Sequence, residues 1–337
     1  MQRKTGHTGK MQTHACRLAL IRDMMRALRV SSIIFMPSKF RVAFAQLLTM
    51  VALLTLTAAS WAAERVLYEK ASAYNNIIVT EDESGLRVLR FEQNGARQSI
   101  AKPGDPTFLG FAYTRAAFIG LALVDEPRRI MIVGLGGGTM PMFLHHYYPN
   151  AIIDVVDIDP DVVHVAREYF GFREDDKLHA HVGDGRQFVE SVREPYDLVF
   201  LDAFGARNVP PHLTTVEFMR AVRRAVRPGG LVVGNIWGRP VNPLYDSMVR
   251  TYQEVFDDLY IVDVAGTSNR ILLALTRKQA LDRAQLVQLA RKVGTHKSFA
   301  FDLGDISEEQ FRAAGGKGKS GRVLRDAESA QPSRVLP

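Results

Sequence analysis

RIMIVGLGGGT at residues 129–139, followed by IIDVVDID at residues 152–159, decides the fold. An apolar run of strand length, a glycine-rich turn, a helical stretch and a second apolar run ending in an acid together make one βαβ unit. Gly134, Gly136, Gly137 and Gly138 let the backbone turn sharply and approach a ligand with no Cβ in the way, and the helix that follows offers free N–H groups. Asp157 ends the second strand 23 residues beyond Gly134, where ribose hydroxyls would need a carboxylate acceptor.

Outward from this unit the same grammar repeats. KLHAHVGD (177–184), YDLVFLDAF (196–204) and GLVVGNIW (230–237) read as strands, with helical stretches near 139–148, 160–170, 185–193 and 214–227. Alternation of this kind predicts a parallel sheet covered on both faces. After a helix near 243–256, LYIVDVAG and RILLALTR are separated by Thr267-Ser268-Asn269, which predicts a closing antiparallel pair. The expected fold is therefore α/β, a Rossmann-like, class I methyltransferase-type sheet of seven strands, with a last helix near 279–293.

Upstream, NNIIVTEDE, LRVLRFE and ARQSI are short apolar runs broken by Ser84-Gly85 and Asn94-Gly95, so a small antiparallel β domain comes first. Phe108 to Val124 has the length of a buried helix. The expected division is a basic leader at 1–63, the β domain at 64–106, the Rossmann-like domain at 107–295 and an extension at 296–337. From about Ala313 the extension holds too few apolar residues to fold.

The chain has 337 residues and is 47% apolar, which excludes a disordered or fibrous protein. Its net charge of +7 would suggest a nucleic-acid partner, but the charge sits at the ends. Residues 1–63 carry +8 and residues 314–337 carry +3, leaving the middle at −4, so a basic groove has no support and no nucleic-acid partner is expected. Cys16 is the only cysteine, which excludes a disulfide framework and a thiolate metal site. His145 and His146 suit the end of the first crossover helix, and no third ligand is spaced to complete a metal set. In the leader, Lys39 and Arg41 precede an apolar run from Val42 to Ala59 and then Ser60-Trp61-Ala62. The segment 36–62 reads as a cleaved signal with Met36 as the start, as an uncleaved anchor, or as an amphipathic arm. It is the one place where membrane contact is expected, and it points to an exported or anchored protein, with a cytoplasmic one as the alternative.

Two further acids end strands: Asp184 in VGDGR and Asp202 in VFLDAF. Acids at the C-terminal ends of successive parallel strands converge on one crevice, the usual ligand site of open α/β sheets. Asp184 is placed to accept from an adenine amino group. Asp202 is the catalytic candidate, because a carboxylate in a low-dielectric cleft can hold an ammonium and take its proton. Asp159 and Asp161 read as helix caps around Pro160, and Arg227-Pro-Gly-Gly230 as a helix end and turn.

From about Tyr74 to Trp237 the sequence resembles the polyamine aminopropyltransferases, the spermidine synthase family, most closely at VVDIDPDVV, HVGDGRQFV and YDLVFLDAF. The resemblance implies an adenosyl-sulfonium co-substrate, decarboxylated S-adenosylmethionine or S-adenosylmethionine, and a small amine acceptor such as putrescine. It implies that Asp157 holds the ribose, Asp184 and Gly185 the adenine, Gln98 the nucleoside from the N-terminal side, and Asp202 the attacking amine. Tyr113, His212 and Trp237 are the substrate-side candidates. It also implies dimers or tetramers. Three departures stand out: Gly137 and Gly205 replace acids of the family, and Tyr113-Thr114-Arg115 stands where the family has Tyr-His-Glu or Tyr-Gln-Glu. All three remove negative charge from where a polycation would sit, and Gly137 leaves room for the carboxylate of the intact donor. The alternatives are an S-adenosylmethionine-dependent methyltransferase, a non-catalytic nucleoside-binding protein, and, more weakly, an NAD-dependent oxidoreductase. Export would separate the protein from these cofactors, which are made in the cytoplasm.

Overall fold

In the computed structural model the described residues are 64–205, 208–313 and 320–329, so the leader with its segment 36–62 lies outside them. Four strands come first, β1 (Arg65–Ala71), β2 (Asn76–Glu81), β3 (Arg87–Arg90) and β4 (Arg97–Ala101), paired antiparallel in sequence order. The sequence reading had separated only the last three. Ile77, Val79, Leu89 and Ala101 face the main core, so one face of this sheet is buried and fixes its register.

The second sheet has eight strands in the order β12-β10-β11-β9-β8-β5-β6-β7. They are β5 (Arg129–Val133), β6 (Ile152–Asp157), β7 (Leu178–Val182), β8 (Tyr196–Leu201), β9 (Val226–Trp237), β10 (Asp258–Asp263), β11 (Asn269–Leu275) and β12 (Phe311–Ala313). The run from β9 to β7 is parallel, and β10 and β11 form the expected antiparallel pair. The eighth strand corrects the expectation of seven. β12 is three residues long, too short for a sequence signal, and pairs with β10 through Phe311 opposite Val262, with Phe311 buried. All six residues of β8 are buried, as a central strand covered on both faces requires. Strand order reverses between β5 and β8, and the crevice above that switch point opens between Gly134 and Asp202.

Helices cover both faces: α1 (Ala112–Ala117), α2 (Thr139–Tyr147), α3 (Pro160–Tyr169), α4 (Gly185–Glu190), α5 (Val216–Ala225), α6 (Tyr245–Val255), α7 (Arg283–Lys297) and α8 (Leu303–Gln310). The single helix expected over 108–124 is divided into α1 and a 3-10 helix, Phe118–Leu123. There Gly120 lies flat on the sheet, and a Cβ on it would come within 2.7 Å of the Val233 side chain. Asp159 caps α3, its carboxylate accepting from Asp161 N–H, Ser72 and Asn75, whereas Asp161 is no cap and pairs with Lys70 at 2.8 Å. These contacts, with the Arg87 guanidinium on the Tyr169 carbonyl, tie the N-terminal sheet to α3. They hold β4 over the glycine loop. The residues read as a helix end and turn at 227–230 continue β9 instead, through a register shift at the β8 pairing with Gly229 at φ +82°. Among the described residues no helix is long and apolar enough to cross a membrane.

The extension departs furthest from expectation. α7 runs across the boundary set at 295, and α7 and α8 pack against the 3-10 helix and α1. Beyond 313, residues 320–329 are ordered against α5 and α6 and end in a short helix, α9 (Asp326–Ser329). Leu324 is 7% exposed, its N–H donates to Thr251 Oγ1, and its carbonyl accepts from Val216 N–H. Asp326 takes both ends of the Arg186 guanidinium, at 2.7 and 2.6 Å, which holds its carboxyl below the usual range. A buried leucine, its two backbone hydrogen bonds and a bidentate ion pair help to fasten this segment although its composition is polar. Leu324→Ala should therefore cost about 2–3 kcal/mol, read as a melting point about 4–10 °C lower. An unchanged melting curve would show the segment to be undocked in solution.

Candidate active site

The crevice at the switch point holds a cavity of about 300 Å³, a size suited to a small organic ligand. Its floor is the glycine loop between β5 and α2. Gly134 has φ +102°, Gly136 +54° and Gly138 +73°, backbone states that side chains resist. Gly134 and Gly136 line the cavity, while Gly137 and Gly138 back onto Phe170 and Phe172 instead. A Cβ on Gly137 would lie 2.7 Å from Ser99 Oγ and 2.9 Å from the Phe170 ring. This position therefore has no room for an acid.

On one side stand the acid that ends β6, Asp157, and the acid two residues beyond β7, Asp184. Asp157 accepts from Leu135 N–H at 2.8 Å and from Asp159 N–H at 3.0 Å, so it holds the loop and its own strand end together. Burial raises its pKa, and the backbone donors offset part of that shift. Asp184 caps α4, accepting from the N–H groups of Arg186 and Gln187 through Oδ1. Gly185 is close-packed beneath it, where a Cβ would overlap Val133. His212, expected on the substrate side, lies instead at this corner, with Nε2 3.0 Å from Asp184 Oδ2. The 3-10 turn Pro211–Leu213 carries it there, and Arg186 steadies that turn through the His212 carbonyl. Gln98 and Ser99 of β4 close the cavity from the N-terminal sheet.

Across the crevice Asp202 follows β8, half-buried in the cavity wall. Tyr113 Oη donates to its Oδ2 at 3.1 Å and Asn235 Nδ2 to its Oδ1 at 2.8 Å. Asn269 Nδ2 donates in turn to Asn235 Oδ1 at 2.9 Å, so an amide relay from β11 through β9 fixes the carboxylate. Burial pushes Asp202 up to about 6, against the lowering effect of the Asn235 and Tyr113 hydrogen bonds. Tyr113 itself is raised well above its ordinary value by burial and by the Asp202 charge, so its proton stays on oxygen. A buried carboxylate that titrates near neutrality is suited to accept a proton. Trp237 does not reach the cavity. It lies tilted at 5.3 Å against Phe204, which does line it, so Trp237 acts on the wall from behind.

Asn235 and Asn269 escaped the sequence reading, although an amide inside the buried run VVGNIW was a visible anomaly. Asn235→Ala removes a donor that favours the ionised carboxyl. The acid limb of the pH–rate profile should rise by about one unit, and a limb left near 6 would mean that Asn235 does not tune Asp202.

Residues 111–253 match the family described as Spermine/spermidine synthase domain. The polyamine aminopropyltransferase of Vibrio vulnificus is 31% identical over 245 residues, covering 71% of this chain and 81% of that protein. The human eEF1A lysine and N-terminal methyltransferase is 31% identical over 214 residues, 57% of this chain, but the match spans only 30% of that longer protein. Among solved structures, human methyltransferase-like protein 13 in complex with SAH superposes with a TM-score of 0.52 at 27% identity, covering 56% of this chain and 93% of that one.

Proposed function

The chain belongs to the polyamine aminopropyltransferase family and is a transferase, and from that premise we propose that it alkylates an amine with the aminopropyl group of decarboxylated S-adenosylmethionine. The observation that carries this reading is Asp202, a half-buried carboxylate steadied by Tyr113 and Asn235 at the head of the crevice. Asp202 binds the incoming ammonium and takes its proton. The freed nitrogen lone pair attacks the propyl carbon next to the sulfonium. A C–N bond forms, the C–S bond breaks, and its electron pair leaves with sulfur as a neutral thioether nucleoside.

The donor residues fit an adenosyl group. Each Asp157 oxygen accepts one backbone N–H, leaving further lone pairs for ribose hydroxyls. Asp184, with the apolar Val133 and Val156 beside Gly185, suits the adenine end, and Gln98 reaches the nucleoside from β4. The Gly134–Gly138 loop lets the sulfonium arm approach the backbone.

One observation favours a second reading. The first turn of α2 carries no acid to meet the ammonium of the donor arm, and its N–H groups suit a carboxylate better. That supports intact S-adenosylmethionine and methyl transfer, as does the solved relative whose structure is described in complex with SAH. Calorimetric titration with both donors separates the two. The first reading expects tighter binding of the decarboxylated donor, and preference for the intact one would replace it with methyl transfer.

A further inference from the structure

The two ends of the cavity differ in charge and in wall. Among the described residues that line it, the carboxylates are Asp157, Asp184 and Asp202. The first two are committed to the nucleoside side: Asp157 to the loop and β6, Asp184 to the α4 cap and His212. Asp202 therefore stands alone at the acceptor end and can neutralise one ammonium. The walls beside it are aromatic. Tyr113 stacks on Phe111 at 5.5 Å, Phe204 lies tilted against Trp237 at 5.3 Å, and Phe91 also lines the cavity.

The loop that leaves Asp202, AFGARNVPP at 203–211, contains no acid in its sequence. Gly205 lines the cavity, and a Cβ added there meets the Asn208 carbonyl oxygen at 3.7 Å, an ordinary contact among the described residues.

We propose that the acceptor is a monoamine, one ammonium on an apolar or aromatic body, and not a diamine or polyamine. The inference rests on the group-transfer reading above and names the acceptor class of that same site. A second ammonium entering this end would lose its water with no anion to replace it. Aromatic rings instead bury a hydrocarbon body and attract the single ammonium through their faces. The step is balanced as before: the monoamine gains the C–N bond, the C–S pair leaves on sulfur, and the displaced proton goes to Asp202.

The test uses the full chain with butylamine and 1,4-diaminobutane, which differ only in the second amine, and with 2-phenylethylamine. Both sulfonium donors are supplied in parallel, and release of the thioether nucleoside is measured. The kcat/KM for butylamine should exceed that for 1,4-diaminobutane by about tenfold or more, with 2-phenylethylamine better still. Gly205→Asp, which adds an acid to the cavity lining, should move the diamine-to-monoamine ratio about tenfold toward the diamine. Turnover that favours the diamine in the unaltered protein, or a ratio that Gly205→Asp does not move, overturns the acceptor assignment and leaves group transfer standing. Donor binding without turnover of any amine removes the group-transfer reading, and the assignment with it.

Discussion

Asp202→Asn should lower kcat about a thousandfold while donor affinity stays within about threefold. The carboxylate lies across the crevice from the acids expected to hold the nucleoside, so its loss removes the proton acceptor and leaves the donor contacts in place. The amide keeps the shape and can still accept from Asn235, which limits rearrangement. The pH behaviour separates a base from a merely structural group. With Asp202 at about 6, the unaltered enzyme should lose rate tenfold per unit below pH 6, and that limb should vanish in the variant. Stability should move the other way. The folded-state pKa is raised above the unfolded value, so the neutral acid is the form the fold prefers. The stability contribution is fully present below the ordinary aspartate range and is lost as pH rises through 6. At pH 8 the ionised group costs about 3 kcal/mol, so the variant should melt above the unaltered protein there. A lower melting point at pH 8 would show that the charge holds the fold together.

Gly134→Ala should abolish donor binding, by at least about a hundredfold, and destabilise the fold by about 3 kcal/mol or more. Two independent costs meet at this position. Its φ of +102° is a backbone state open to glycine, and a Cβ there would overlap the Asp202 carbonyl oxygen. Neither neighbour can swing aside, because the Gly134 N–H is bonded to the Val156 carbonyl and the Asp202 N–H to the Val133 carbonyl. Relief must come from parting the ends of β5 and β8, which moves the glycine loop and the catalytic candidate together. Differential scanning calorimetry and donor titration on one preparation read both effects. Near-native values in both would mean that the loop adopts another conformation in solution.

The parts of this molecule written in local sequence were legible from it. Apolar runs with glycine at 134 and acids at 157, 184 and 202 placed the strands and one crevice, because strand periodicity and turn chemistry act over a few residues. What depended on distant partners was not. Leu324 docks under Thr251 and Val216, and Asp326 meets Arg186, 140 residues away, so a polar tail gave no hint of its own anchorage. His212 goes to Asp184 because the Arg186 guanidinium holds its turn, a contact with no sequence period. Asn235 stands out in its buried run but names no partner, Asn269 looks like an ordinary amide at a strand start, and only the antiparallel pairing of β9 with β11 makes them a relay. The 3-10 break at Gly120 likewise follows from the sheet beneath it.

The central claim is amine alkylation by an aminopropyl donor with Asp202 as the base. The most direct measurement is mass spectrometry of the products after incubating the protein with decarboxylated S-adenosylmethionine and butylamine, beside the same protein carrying Asp202→Asn. The account predicts 5′-methylthioadenosine and N-(3-aminopropyl)butylamine in equal amounts, and neither from the variant. No product from this donor, with S-adenosylhomocysteine formed from the intact one, would contradict it.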